Sequence, residues 1–379
     1  MFTNRYRERL LSQKQAGLYR TPLEIERKKG KFLFCGNRKV LNFSSNDYLG
    51  LGASARLQLL VADNFRSHGT SSSSSRLVAG NYRLINEAER AYAAFFGYED
   101  ALFFPSGYQA NLGLISTLLE KGDTIIFDKH IHASSVKGMV SSGADFAGYN
   151  HNSLSHLRKR LEKSNPGRTA VLTESLFSMD GDLLDIDGFC RLKEEFGFLS
   201  IIDEAHAFGA LGNKGRGLGR TAADIALGTL GKAFGLFGAF VLLSSTLKEY
   251  LFNFCSPLIY TTTLPEAHAA SALHILEIIE QCDDERKNLL QVSSLMRQGL
   301  QEAGVAASGD AHIIALTIGD EKRAGDISAK LLAEDIFVLP ARYPTVPLGK
   351  AILRISMTAL HTKNDVTHFI EKFKKAAII

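Results

Sequence analysis

The sequence predicts an α/β protein: a large domain on a mostly parallel central sheet, then a smaller α+β domain toward the C-terminal end. Three observations carry that expectation. From about residue 84 to 245, short apolar runs alternate with longer stretches of helical periodicity. The runs are apolar at nearly every position, as strands covered on both faces are. Beyond about residue 265 a long helical pattern gives way to shorter alternating runs.

Taken in order, the chain opens with an N-terminal segment over 1–45, charged and helix-periodic over its first 20 residues, followed by a large domain over 46–285 and a small one over 286–379. The strand candidates of the large domain are 101–104, 124–127, 170–173, 199–202 and 239–243. Helical stretches lie between them, such as 84–96 before Gly97 and 186–196 before Gly197, where glycine provides the stop. In the last part IIALTIG, IFVLPA and AILRISMT alternate with the helical AGDISAKLLAED, the texture of an α+β domain.

Composition narrows the function. The 379 residues hold 44 basic and 40 acidic side chains, well mixed, for a net charge of +4. No basic arm or stripe is present, so no nucleic-acid partner is expected. The four cysteines are scattered and the histidines unclustered, which argues against a disulfide framework or a zinc site and for a reducing compartment. No stretch approaches a membrane span and the first residues lack a secretory apolar core, so the expectation is a cytoplasmic protein.

In an open parallel sheet, ligands bind beyond the carboxyl ends of the strands. The residues placed there are Pro105–Tyr108, Asp128–His132, Glu174–Asp180 and Asp203–His206, with Thr229–Lys232 just before the last strand. Asp203 and His206 follow the most apolar strand, where a carboxylate needs a facing cation, and a protonated pyridine nitrogen is one. Lys232 lies among glycines and apolar residues, where desolvation lowers an amine's pKa and favours Schiff-base formation. The turn PSGY opens a helix whose first N–H groups suit a phosphate. Together these parts match pyridoxal 5′-phosphate (PLP). A nucleotide P-loop does not fit, because Ala226 and Ala233 stand where glycine and Ser/Thr are required.

FSSNDYLGL, FPSGYQAN, FSMDGD, DEAHAFG, GTLGKAFG and IYTTTLP occur in this order over nearly the whole chain. With them the sequence resembles the α-oxoamine synthases, PLP enzymes that condense an amino acid with an acyl-CoA. The resemblance implies that Lys232 carries the cofactor and later moves the substrate proton, that Asp203 pairs with the ring nitrogen, and that His206 hydrogen-bonds the ring oxygen. It implies that His132 stacks on the ring; His130 is an equally good aromatic, and only the motif HAS selects His132. By the same resemblance Gly107, Tyr108, Ser178 and Thr229 bind the phosphate or neighbouring cofactor oxygens, and Thr262 reaches the phosphate of a second subunit in a homodimer. Asn46 and Glu174 would flank the substrate, Arg20 and Thr345 contact the acyl-CoA, and Arg354 clamp the amino-acid carboxylate. Within that family QAGLYR and YPTVPLGKAILRISMTALHT resemble most the members that use L-alanine, which implies L-alanine with an acyl-CoA or acyl carrier thioester as substrates, the glycine-using members being the alternative.

One stretch has a second reading. GTSSSSSR, residues 69–76, looks by composition like a flexible linker. The resemblance makes the segment from FSSNDYLGL to PSGY one substrate-facing unit, and so implies instead an ordered loop at the dimer interface. Serine resists positive φ, so Ser71–Ser75 should use ordinary backbone regions or carry strain.

Overall fold

The computed structural model describes residues 2–377. Its chain divides into two compact units, one comprising Ser54–Phe177 and Leu183–Arg286, the other the residues up to Ala53, Ser178–Asp182 and those from Lys287 on.

The larger unit is built on a seven-stranded sheet in the order Asp100–Phe104, Ala239–Leu243, Ile225–Thr229, Leu199–Asp203, Thr169–Glu174, Thr124–Asp128, Asp145–Tyr149. The last five run parallel, and Ala239–Leu243 is antiparallel to both its neighbours. All five predicted runs lie in these strands. Their side chains are almost wholly buried, because helices such as Arg83–Phe96 and Gly107–Leu118 cover the sheet. Helices Arg83–Phe96 and Ile186–Phe196 end on Gly97 and Gly197 in the left-handed conformation. Two strands, Asp145–Tyr149 and Ile225–Thr229, are additional to the predicted set.

The serine segment is a structured loop. Ser72 Oγ donates to Thr263 O at 2.8 Å, Thr263 N to Ser74 O at 3.0 Å, and Tyr82 Oη to Ser72 O at 3.1 Å. At its end the buried Arg76 makes a bidentate pair with Glu89, at 2.6 and 3.2 Å. Ser73 takes φ +49°, so the loop does leave the ordinary regions at one residue.

The smaller unit holds two sheets. Arg27–Lys29, Phe32–Cys35 and Arg38–Asn42 form an antiparallel run, and Ile336–Phe337 adds in parallel beside the last. The second sheet has the order Ala307–Ser308, Ile313–Gly319, Ala351–Ser356, Leu339–Ala341. Segment 178–182 is tied to it at Gly181, whose carbonyl accepts from Asp310 N at 2.8 Å. A Cβ at Gly181 would stand 2.1 Å from Ile313 O, and its φ is +73°, so only glycine fits this crossing. Among the described residues no helix is long and apolar enough to cross a membrane.

Candidate active site

In the larger unit the strand ends gather the predicted polar residues. The parallel register sets Glu174 beside Asp203, both at the carboxyl ends of their strands. Asp203 Oδ1 accepts from Ala205 N at 2.9 Å, and Oδ2 from Asn111 Nδ2 at 2.9 Å. Among the described residues Asp203 makes no salt bridge. Three residues on, the buried His206 places Nε2 2.8 Å from Lys232 Nζ. Lys232 occupies the tight turn between Ile225–Thr229 and Ala239–Leu243, closed by Leu230 N to Gly238 O at 2.9 Å and Gly235 N to Lys232 O at 3.0 Å. The amine and the imidazole, 26 residues apart in sequence, are thus brought together by sheet topology.

His132 caps helix Ala133–Ser142, with Nδ1 accepting from Ser134 N at 3.3 Å and lying 2.7 Å from Ser134 Oγ. Because Nδ1 accepts from an amide, it carries no proton, so the ring N–H is at Nε2. Ser134 Oγ in turn accepts from Asn111 Nδ2 at 3.1 Å. One amide group therefore spends its two hydrogens on Asp203 and Ser134, and a continuous chain runs Asp203–Asn111–Ser134–His132. Surrounding protein desolvates the His132 imidazole and, with the nearby Lys232 ammonium, outweighs the pull of Asp203, so its pKa lies below the usual value. His132 remains neutral near neutral pH. Tyr108 meets it edge-on, ring centres 6.4 Å apart. Sequence reasoning passed over Asn111 and Ser134, although both lie in quoted motifs, FPSGYQAN and HAS.

The other predicted positions divide. Ser106 caps helix Gly107–Leu118 through Gln109 N at 3.2 Å, so the N–H groups of Gly107 and Tyr108 point ahead of the first helical bonds. Thr229 Oγ1 is spent inside the lysine turn, donating to Gly238 O at 3.0 Å and accepting from Gly231 N at 3.1 Å. Thr262 is exposed, next to the Thr263 that the serine loop grips. His130 stacks on His151 at 3.9 Å, and His151 Nδ1 binds the buried Asp128 at 2.9 Å. Glu204 turns away from Asp203 into the core, accepting from Ser175 Oγ at 2.6 Å and from Leu218 N and Gly219 N; burial raises its pKa. That explains the glycines of GRGLG: they bring the backbone close enough to cap a buried carboxyl group.

The smaller unit holds the remaining candidates. Arg354, in an interior strand and buried, donates through Nε to Ser178 O and through Nη1 to Ser356 Oγ and, at 3.3 Å, to Asn46 Oδ1. Tyr48 Oη donates to Asn46 Oδ1 at 3.2 Å; burial lifts its pKa to about 12 against the opposing effect of Arg354. All these partners are neutral, and among the described residues no carboxylate pairs with Arg354. Asn46, Ser178 and Arg354 therefore meet, Ser178 through its backbone carbonyl. Arg20 Nη2 and Thr345 Oγ1, both exposed, approach to 3.5 Å. Arg342 fixes the preceding chain through Gly17 O and, at 3.2 Å, Tyr19 O.

The donor set of the larger unit fits PLP. It offers a carboxylate lacking a salt bridge for a ring N–H, an amine whose partner is an imidazole, and a helix start with open N–H groups for a phosphate. Comparison with known proteins agrees. The sequence model for class I and II aminotransferases matches residues 38–373. An 8-amino-7-oxononanoate synthase of Geotalea daltonii is 38% identical over 369 residues, 95% of this chain and 94% of that one. The structure of a serine palmitoyltransferase from S. paucimobilis with PLP and myriocin bound superposes with a TM-score of 0.91 at 26% identity, covering 98% of this chain and 96% of that one. An 8-amino-7-oxononanoate synthase from Francisella tularensis gives a TM-score of 0.78 at 31% identity, over 89% and 97% of the two chains.

Proposed function

The chain belongs to the class I and II aminotransferase family, and from that premise we propose that it joins L-alanine to a pimeloyl thioester, on CoA or on a carrier protein. The products are 8-amino-7-oxononanoate, carbon dioxide and the free thiol, a step of biotin biosynthesis. It is a PLP-dependent enzyme of the acyltransferase type, as its relatives are. The observation that carries the PLP-dependent reading is the Lys232–His206 contact at 2.8 Å beside an Asp203 that makes no salt bridge among the described residues, and the relatives support the choice of substrates.

When bound, PLP supplies an electron sink that makes the α-proton of an amino acid removable. Lys232 would hold its aldehyde carbon, Asp203 the ring nitrogen, His206 the ring oxygen, and the Gly107–Tyr108 amides the phosphate. The Asn111 amide orients Asp203, and the same amide, through Ser134, fixes the His132 ring with its N–H at Nε2. Lys232 Nζ is the group that takes and returns the proton at the substrate α-carbon, steered by the imidazole beside it. Arg354 is a buried cation held only by neutral groups, the setting in which a substrate carboxylate makes a bidentate pair. Arg20 and Thr345 offer surface donors for the thioester's polar groups.

A homodimer is part of the proposal. Leu77, Val78 and Tyr260 are 64%, 81% and 82% exposed in the larger unit, and they flank the serine loop and the Thr262 segment. Large apolar side chains at that exposure suit a subunit face.

The test is a coupled assay of L-alanine, glycine and L-serine against pimeloyl-, acetyl-, succinyl- and palmitoyl-CoA. Release of thiol with alanine and the pimeloyl donor is expected to dominate. Preference for glycine or serine overturns the substrate assignment, and a folded wild type without a PLP absorption band overturns the enzyme.

A further inference from the structure

Between residues 27 and 39 the antiparallel run of the smaller unit carries six cations and no carboxylate. Three are neutralised: Lys28 pairs with Asp47 at 2.8 Å, Lys31 with Asp365, and Arg38 with Asp335 at 2.7 Å. Arg27, Lys29 and Lys39 have no ion pair among the described residues. The registers Arg27↔Phe34, Lys29↔Phe32 and Phe34↔Lys39 put all three on one face with two phenyl rings. Leu33, between those rings, points the other way and is buried. Lys39 Nζ stands 3.9 Å from the Phe32 ring centre, and the Arg27 guanidinium carbon 4.4 Å from that of Phe34.

On this face opens a cavity of about 570 Å³, bordered by Lys29, Lys31 and Lys39, with Phe32, Phe34 and Leu360 as its apolar lining. Lysines along an edge strand ordinarily serve to keep it from pairing. Here they border a hollow whose volume is that of a small-ligand site, with aromatic walls and a few polar groups converging on it. A bare phosphate would use the lysines and leave the rings idle, and an apolar ligand would use the rings and leave the charges uncompensated. A heteroaromatic ring carrying phosphates uses both, stacking on phenyl and pairing with ammonium.

We propose that this cavity binds a phosphorylated nucleoside, its base against Phe32 and Phe34 and its phosphates on Lys29 and Lys39. Two sources share that chemistry: the nucleotide end of a CoA thioester, and a free nucleotide such as ADP. The assignment is read by binding and so stands or falls apart from the proposed reaction.

The test is calorimetric titration of the holoenzyme with adenosine 3′,5′-bisphosphate, ADP and pyrophosphate. Both nucleotides are expected to bind saturably, once per chain, and the double variant Lys29→Glu/Lys39→Glu to weaken them at least roughly tenfold by reversing two contact charges. Lys29 and Lys39 are exposed, so the variant keeps the fold. Phe32→Leu, which leaves the lysines in place, should weaken the nucleotides and leave pyrophosphate unaffected. If acyl-CoA displaces the nucleotide, and the double variant raises the KM for acyl-CoA but not for the amino acid, the occupant is the CoA tail. Nucleotide binding undiminished at saturating acyl-CoA identifies a free nucleotide. Absence of saturable binding, indifference to the double variant, or pyrophosphate binding as tightly as ADP overturns the proposal.

Discussion

Asp203 in the larger unit and Arg354 in the smaller are buried or half-buried charges that make no ion pair among the described residues, and the two are managed differently. Asp203 in the larger unit is tied by Asn111 into a chain that ends on His132, so its orientation is set by residues that also set the imidazole. Arg354 in the smaller unit is held by the Ser178 carbonyl, Ser356 and Asn46, which fix its direction without coupling it to another reactive group. An anion built into a relay suits a resident group whose electronics must stay constant. A cation braced by neutral acceptors suits a carboxylate that comes and goes each turnover, since permanent neutralisation would abolish its use.

The largest effect should come from breaking the Asp203 side at its amine. Lys232→Ala is expected to lower kcat by more than roughly 10³-fold and to remove the visible absorption of the bound cofactor, because both the covalent link and the proton carrier go. Amino-acid binding, measured by equilibrium dialysis, should survive, since Arg354 is untouched. Loss of both together would show that the two charges act as one system.

The next effect adds a cation to the smaller unit. His361 is buried, stacks on Phe43, accepts from Thr358 N at 3.0 Å and meets Asn42 O at 3.2 Å; burial holds its pKa at about 4 instead of 6.5. Below pH 6.5 the unfolded chain binds the proton first. The stability present above that pH is therefore lost as pH falls toward about 4, by up to about 3 kcal/mol. Urea unfolding across this range should show a slope that His361→Gln flattens.

Arg354→Met comes third. The KM for the amino acid should rise roughly 10²-fold with kcat and cofactor absorbance little changed, as for a contact made equally in ground and transition states. Stability should move by no more than about 2 kcal/mol, because the lost hydrogen bonds are offset by removing an unneutralised charge. A larger loss would mean that Arg354 is a structural brace first.

The contrast between the units is also one of legibility. Asp203 and His206 follow an apolar run whose periodicity is local, so their position at a strand end was open to reading, and Lys232 was legible from its glycine-rich, apolar setting. Asp145–Tyr149 and Ile225–Thr229 were not, since glycines interrupt short strands whose order is set by tertiary pairing. The pairing of Leu41 with Ile336 leaves no local trace either. An arginine in a strand reads as an edge residue, whereas Arg354 lies between two strands and under Ser178, which arrives from a distant part of the chain. Asn111 and Ser134 escaped because a neutral amide inside a helix and a serine at a helix start look like ordinary helix residues.

The smallest effect probes the serine loop, where neighbouring residues should respond with opposite signs. Ser72 Oγ is buried and donates to Thr263 O, so Ser72→Ala should cost about 1 kcal/mol and loosen the Thr262 segment. Ser73 is exposed at φ +49°, a conformation that costs a side chain about 1 kcal/mol. Ser73→Gly removes that cost but gives the unfolded chain more freedom, leaving a net gain of about 0.5 kcal/mol or less. Thermal unfolding of the two variants reads both signs. If Ser73→Gly destabilises, the Ser73–Ser71 hydroxyl contact at 3.3 Å outweighs the strain, and the loop is held by its own side chains as firmly as by Thr263.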